Sequence, residues 1–141
     1  MSSRPLIVVD ADAIIGQTDP KDLHHHKSLN ISRKLLELRA HVLYPVTAIL
    51  EANAYMQRVL NDTPSAYKVA KAMSEPSFNV VEVNKQTLIK ASDYFSPKTS
   101  KKNTLFDCIV AALAEEYKAD AIFSFDRFYS INGFKLASEL L

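Results

Sequence analysis

The chain has 141 residues, 48% of them hydrophobic, a size that makes one domain over 1–141 with a single packed core. Its 17 Lys and Arg against 16 Asp and Glu leave a net charge of +1. A near-neutral chain has no global basic field for a polyanion, so any such partner needs a local patch or metal ions.

In chain order, the apolar stretch at the N-terminus is broken by Asp10 and Asp12 and is not a secretory signal. Its β-branched run, residues 6–9, reads as a strand covered on both faces. His24-His25-His26 lies in a polar stretch. The spacing then predicts a helix over 28–38, capped by Ser28 or Asn30. Residues 41–44 form a second strand closed by Pro45. A helix over 47–60 follows, with Ile49, Leu50, Met56, Val59 and Leu60 as core candidates. Pro64 suits the first turn of a further helix that ends near residue 74. Residues 78–83 read as a third strand and 87–95 as a helix. Residues 96–103, SPKTSKKN, are a basic loop before a helix over 104–118. That helix holds Cys108, the one cysteine, which excludes an internal disulfide framework and fits a reducing compartment. A fourth strand covers 121–124, and 134–136 makes a short fifth.

Strands alternate with helices throughout. The expectation is an α/β fold: a three-layer α/β/α domain with a mostly parallel sheet of four to five strands. Only two glycines occur, Gly16 and Gly133, so phosphate-cradling glycine loops are absent. No apolar run approaches the ~20 residues of a membrane helix. A cytoplasmic protein with no membrane partner is expected.

Four acids fall in related places. Asp10 follows the first strand and Asp126 the fourth. Glu51 lies on the helix after the second strand, and Asp107 on the first turn of the helix entering the fourth. The carboxyl ends of parallel strands share one edge, where ligand crevices form. Each acid alone has a plain structural use, as a cap or at a helix N-terminus. Together, acids turned toward the body of the protein repel and pay desolvation unless a cation neutralises them. Oxygen ligands favour Mg²⁺ or Mn²⁺. The three histidines offer zinc instead, but they lack cysteine partners and an HExxH spacing.

The strand ending in Asp10, the helical Glu51 of ILEANAY, and DCIVAALAEEYKADAIFSFD from Asp107 to Asp126 resemble the PIN-domain nucleases in order and spacing. The resemblance spans almost the whole chain. It implies a Mg²⁺- or Mn²⁺-dependent endoribonuclease, in many single-domain members a VapC-type toxin restrained by a small antitoxin. It places Asp10, Glu51, Asp107 and Asp126 as metal ligands and catalytic residues. Ser124 matches the hydroxyl residue before the last acid. Asp12 stands where the family more often has Ser, Thr or Asn, and reads as a supporting residue, an extra ligand or a cap. The resemblance also suggests a homodimer, through exposed apolar faces around Met56 and Tyr67.

For an RNA substrate, Lys98, Lys101, Lys102 and Arg127 are candidate phosphate contacts. Phe128 and Tyr129 are either base-stacking rings or core. Two other readings stay open. One is a non-catalytic RNA- or protein-binding module. The other is a phosphatase of the haloacid-dehalogenase type, for which Asp10-Ala11-Asp12 fits. Against the phosphatase, Ala13-Ile14 replaces its usual Gly-Thr, and only one acid follows the fourth strand.

Overall fold

A computed structural model describes residues 4–141. Residues 1–3, part of the expected 1–141 span and of the N-terminal reading, lie outside the described residues. Four strands form one sheet: β1 (Leu6–Val9), β2 (His41–Pro45), β3 (Asn79–Val81) and β4 (Ala121–Phe123). All pair in parallel, in the order β3-β2-β1-β4. The helices are α1 (Ala11–Thr18), α2 (His25–Glu37), α3 (Val46–Arg58), α4 (Thr63–Met73), α5 (Lys85–Ala91), α6 (Leu105–Glu116) and α7 (Arg127–Ile131).

The sheet is apolar on both faces because helices cover both. Ile7 and Val9 of β1 join one core with Ile14 of α1, Leu35 of α2, Met56 of α3 and Val69 of α4. Val8, between them, points the other way, into a core with Val110 and Leu113 of α6, Ala91 of α5 and Tyr129 of α7. The strand period of two thus splits one apolar run between two layers. β1 is the centre of the topology. The chain runs from β1 outward to β2 and β3, then returns to place β4 on the opposite edge of β1. Ile7 pairs with Ala121 and Val9 with Phe123. A topological switch point therefore lies between β1 and β4, and ligand crevices form at the carboxyl ends of such strands.

Several expectations need correction. The sequence pattern assigns no element to residues 11–18, yet they form α1. Asp10 caps it, and it packs on α2 and α3. The second helix starts at His25, not at Ser28 or Asn30, so His25 and His26 are helical. Ser28 is fully buried instead, and an added Cβ on Gly16 would meet its Oγ at 2.3 Å. On α3, Met56 is core while Leu50, and Val59 just past the helix, are exposed, so Met56 itself is not on an exposed face. Tyr67 on α4 is exposed, as expected. The third strand shortens to three residues. The fifth is a single bridge between Ile122 and Leu136. No described helix is long and apolar enough to cross a membrane.

Candidate active site

The switch point gathers acids from four segments. Asp10 leaves β1, Asp126 follows β4, Glu51 rides on α3 and Asp107 sits at the start of α6. With Asp12 of α1 they line one cavity of about 190 Å³, together with Ile15, Tyr55, Lys102 and Thr104.

Three of the acids are also caps. Asp10 Oδ1 accepts from the Ala11 N–H at 2.7 Å. Asp126 Oδ1 accepts from the Phe128 N–H at 2.9 Å. Asp107 closes a capping box with Thr104, whose N–H donates to Asp107 Oδ2 at 3.0 Å. The structural and chemical uses do not compete, because a carboxylate has two oxygens. A cap bond fixes the rotamer and aims the rest of the group at the cavity.

Asp10 Oδ2 accepts from the Tyr129 hydroxyl at 2.8 Å and lies 3.1 Å from Ser124 Oγ. Asp12 Oδ2 lies 3.0 Å from the same Ser124 Oγ and accepts from the Phe125 N–H at 2.8 Å. Ser124 Oγ in turn accepts from the Asp126 N–H. A hydroxyl has one proton, so Ser124 can donate to only one of Asp10 and Asp12 at a time. Asn103 bridges the other pair: its Nδ2 donates to Asp126 Oδ2 at 2.7 Å and to Asp107 Oδ2 at 3.3 Å.

Burial and mutual repulsion raise the affinity of these carboxyls for protons. Burial, then the charges of Asp12 and Asp107, holds Asp10 well above the usual range. Burial pushes Asp12 up to about 6. Burial, with Asp107 and Asp12 nearby, pushes Glu51 up to about 7. Asp107 is raised as well, again chiefly by burial. Nothing cationic offsets this: among the described residues the one ion pair within 4.0 Å is Lys90 with Glu115.

The acids ring the cavity without closing on one point. Among the described residues, no three His, Cys, Asp or Glu side chains are already grouped as a metal-holding set. The donor set nonetheless suits a hard divalent cation. It is all oxygen, it is mutually repelling, and two of its oxygens, Asp12 Oδ1 and Glu51 Oε1, are buried without a hydrogen-bond partner.

The other candidates divide. Lys102 and Arg127 line a larger cleft that shares Asp12, Lys102 and Asp126 with the acid pocket. Lys98 and Lys101 line neither. Tyr129 is fully buried, so it is a hydroxyl donor to Asp10 and not a stacking ring. Two histidines are committed to local structure, against a zinc role. His24 stacks on Phe125 with centroids 4.2 Å apart, and His25 Nδ1 lies 2.7 Å from the Gly16 carbonyl. Sequence reasoning missed Asn103 and the ring pair of His24 and Phe125. For Asn103 one signal was available: an amide directly before the helix-capping Thr104 stands beside the first-turn Asp107.

Comparison with known proteins adds the family. No curated protein matches significantly. Among solved structures, Mycobacterium tuberculosis VapC20, described as a sarcin-ricin loop cleaving toxin, superposes with a TM-score of 0.78 at 15% identity. The match covers 91% of this chain and 95% of that one. Neisseria gonorrhoeae FitAcB superposes with a TM-score of 0.66 at 14% identity, covering 92% of this chain and 96% of that one. At these identities the likeness is one of fold. The PIN domain family model matches residues 7–133, a span that contains all five acids and takes Asp10-Ala11-Asp12 away from the phosphatase reading. By that match, the chain belongs to the PIN domain family.

Proposed function

We propose that this protein is a Mg²⁺- or Mn²⁺-dependent endoribonuclease, and the toxin of a toxin–antitoxin pair. The observation that carries the nuclease reading is the acid pocket itself. Five carboxylates face one small cavity, none of them in an ion pair within 4.0 Å among the described residues, and two of their oxygens are buried and unpartnered. An apolar or uncharged lining would fold at lower cost, so the arrangement makes sense as a site completed by a cation.

In this reading Asp10, Glu51, Asp107 and Asp126 hold the ion. When bound, the metal supplies charge stabilisation for the phosphodiester and acidifies water. The chain's own groups do the rest. Tyr129 and Ser124 fix the Asp10 carboxylate through two hydroxyl contacts. Asn103 keeps Asp107 and Asp126 in register. Glu51 Oε1, free of protein partners, accepts the proton of the attacking water. Lys102, on the wall shared by pocket and cleft, contacts the phosphate backbone.

The toxin reading rests on the two fold neighbours, one of them described as a sarcin-ricin loop cleaving toxin. A small antitoxin is the proposed protein partner. A homodimer is proposed through exposed apolar residues on and beside α3 and α4, among them Leu50, Val59 and Tyr67. The cytoplasm is the proposed compartment.

The test is cleavage of an unpaired RNA in Mn²⁺ by the purified protein, with Asp10→Asn and Asp107→Asn alongside. The parent cuts, EDTA stops it, and both variants keep the fold by circular dichroism but do not cut. Variants that cut as well as the parent would remove the assignment. RNA binding without turnover in Mn²⁺ would favour the non-catalytic module. Growth arrest on expression, relieved by co-expressing the neighbouring reading frame, tests the toxin role.

A further inference from the structure

The cleft beside the acid pocket has a volume of about 810 Å³ and a different chemistry. Past the shared wall of Asp12, Lys102 and Asp126 it presents Arg127, the ring pair of His24 and Phe125, and Ile131. The two rings lie nearly parallel, 10° apart, and the Lys27 ammonium sits 5.8 Å from the Phe125 centroid. Ile131 is 81% exposed, with little of this chain covering it.

The placement follows from the chain. Phe125 lies between Ser124 and Asp126, so the β4 end that delivers an acid to the pocket also delivers a ring to the cleft. Its backbone N–H is held by Asp12, and its ring packs edge-on to Phe123. His24, just before α2, completes the platform from a distant segment. Cations and stacked rings together, against a pocket built for a phosphodiester, match the parts of a nucleotide. The rings take a base and the cations a phosphate. Asp12 and Asp126 repel phosphate, which directs it toward Lys102 and Arg127. A cavity of this size is on the scale of a small-ligand site, and stacking on its rings needs a base whose face is free, as in unpaired nucleotides.

We propose that this cleft is a nucleotide subsite. It holds an unpaired ribonucleotide beside the scissile phosphate, its base against the His24–Phe125 pair and its phosphate on Lys102 and Arg127. The inference rests on the acid pocket being a phosphodiesterase site. It makes the enzyme selective for unpaired RNA, with little preference among bases, because every base has a face to stack.

The test is fluorescence anisotropy of the full chain with a short labelled RNA, in Ca²⁺, an oxygen-seeking ion like Mg²⁺. An abasic site is walked through the oligonucleotide one position at a time. One position is expected to weaken binding by roughly 5- to 150-fold. His24→Ala weakens the intact RNA to the same degree and leaves the RNA abasic at that position unaffected, as two deletions of one contact must. Phe125→Leu keeps apolar volume toward Phe123 and gives the same pattern if His24→Ala folds poorly. Annealing the RNA to its complement abolishes the tight binding. The subsite is overturned if no position is sensitive, if ring and base deletions add independently, or if the duplex binds as well. The two readings fail separately. A parent that shows the pattern but never cuts in Mn²⁺ loses the nuclease assignment, while one that cuts without any abasic-sensitive position loses only the subsite.

Discussion

Replacing Glu51 with Gln should stabilise the metal-free protein while removing its response to manganese. A carboxyl displaced from 4.5 to about 7 corresponds to about 3 kcal/mol at 1.36 kcal/mol per pH unit. Glu51 is only partly buried, and solvent screening reduces the figure to about 1–2 kcal/mol. Because the folded-state value is the higher one, the penalty is absent below about pH 4.5, grows as pH rises, and is complete above about 7. Glu51→Gln removes it, so in EDTA at pH 8 the variant should melt ~3–6 °C above the parent. At pH 4 the two should coincide. Millimolar Mn²⁺ at pH 8 should raise the parent's Tm, since a ligand at 100 times its Kd adds about 2.7 kcal/mol, and should raise the variant's much less. Differential scanning calorimetry across pH, with and without metal, reads all of this. A variant no more stable than the parent at pH 8, or one whose advantage persists at pH 4, would refute the reasoning that Glu51 is a desolvated, cation-seeking carboxylate.

Tyr129→Phe removes the buried hydroxyl that donates to Asp10 and should cost about 1–3 kcal/mol, read from urea denaturation with an unchanged m-value. Asn103→Ala takes away the donor shared by Asp107 and Asp126. In EDTA at pH 8 it should cost about 1–2 kcal/mol, and Mn²⁺ should recover most of the loss in a thermal melt. Gly16→Ala drives a methyl to 2.3 Å from Ser28 Oγ and should cost about 1–3 kcal/mol. Ser28→Ala in the same chain should restore part of that, because this hydroxyl has no hydrogen-bond partner to lose.

The strands and the later helices were legible because their signals are local. A β-branched run marks β1, an apolar run closed by Pro45 marks β2, Pro64 with the Asp62 cap marks α4, and Thr104 with Asp107 marks α6. The helix α1 was not. Its ADAIIGQT carries a glycine, two β-branched isoleucines and a terminal threonine, all poor helix formers. Beyond the local Asp10 cap it is held by packing on α2 and α3, which is a tertiary effect. The start of α2 was misplaced for a related reason: no side-chain cap marks it. Along α3 the core candidates Ile49 and Met56, and Leu60 after it, do pack inward, while Leu50 and Val59 face solvent, because a helical period alone does not say how wide the buried stripe is. The order of the acids along the chain was readable, and so was their shared sheet edge. Which protein donors hold them was not, because Asn103 reaches Asp126 across 23 residues and Ser124 reaches Asp10 across 114.

The pairing of β4 with β1 joins segments far apart in the sequence, Ile7 to Ala121. A growing chain therefore carries Asp10 and Glu51 well before Asp107, Ser124 and Asp126 are made. Until the final segment, with Ser124 and Asp126, has been synthesised and docked, Asp10 lacks the Ser124 and Tyr129 hydroxyls that fix it.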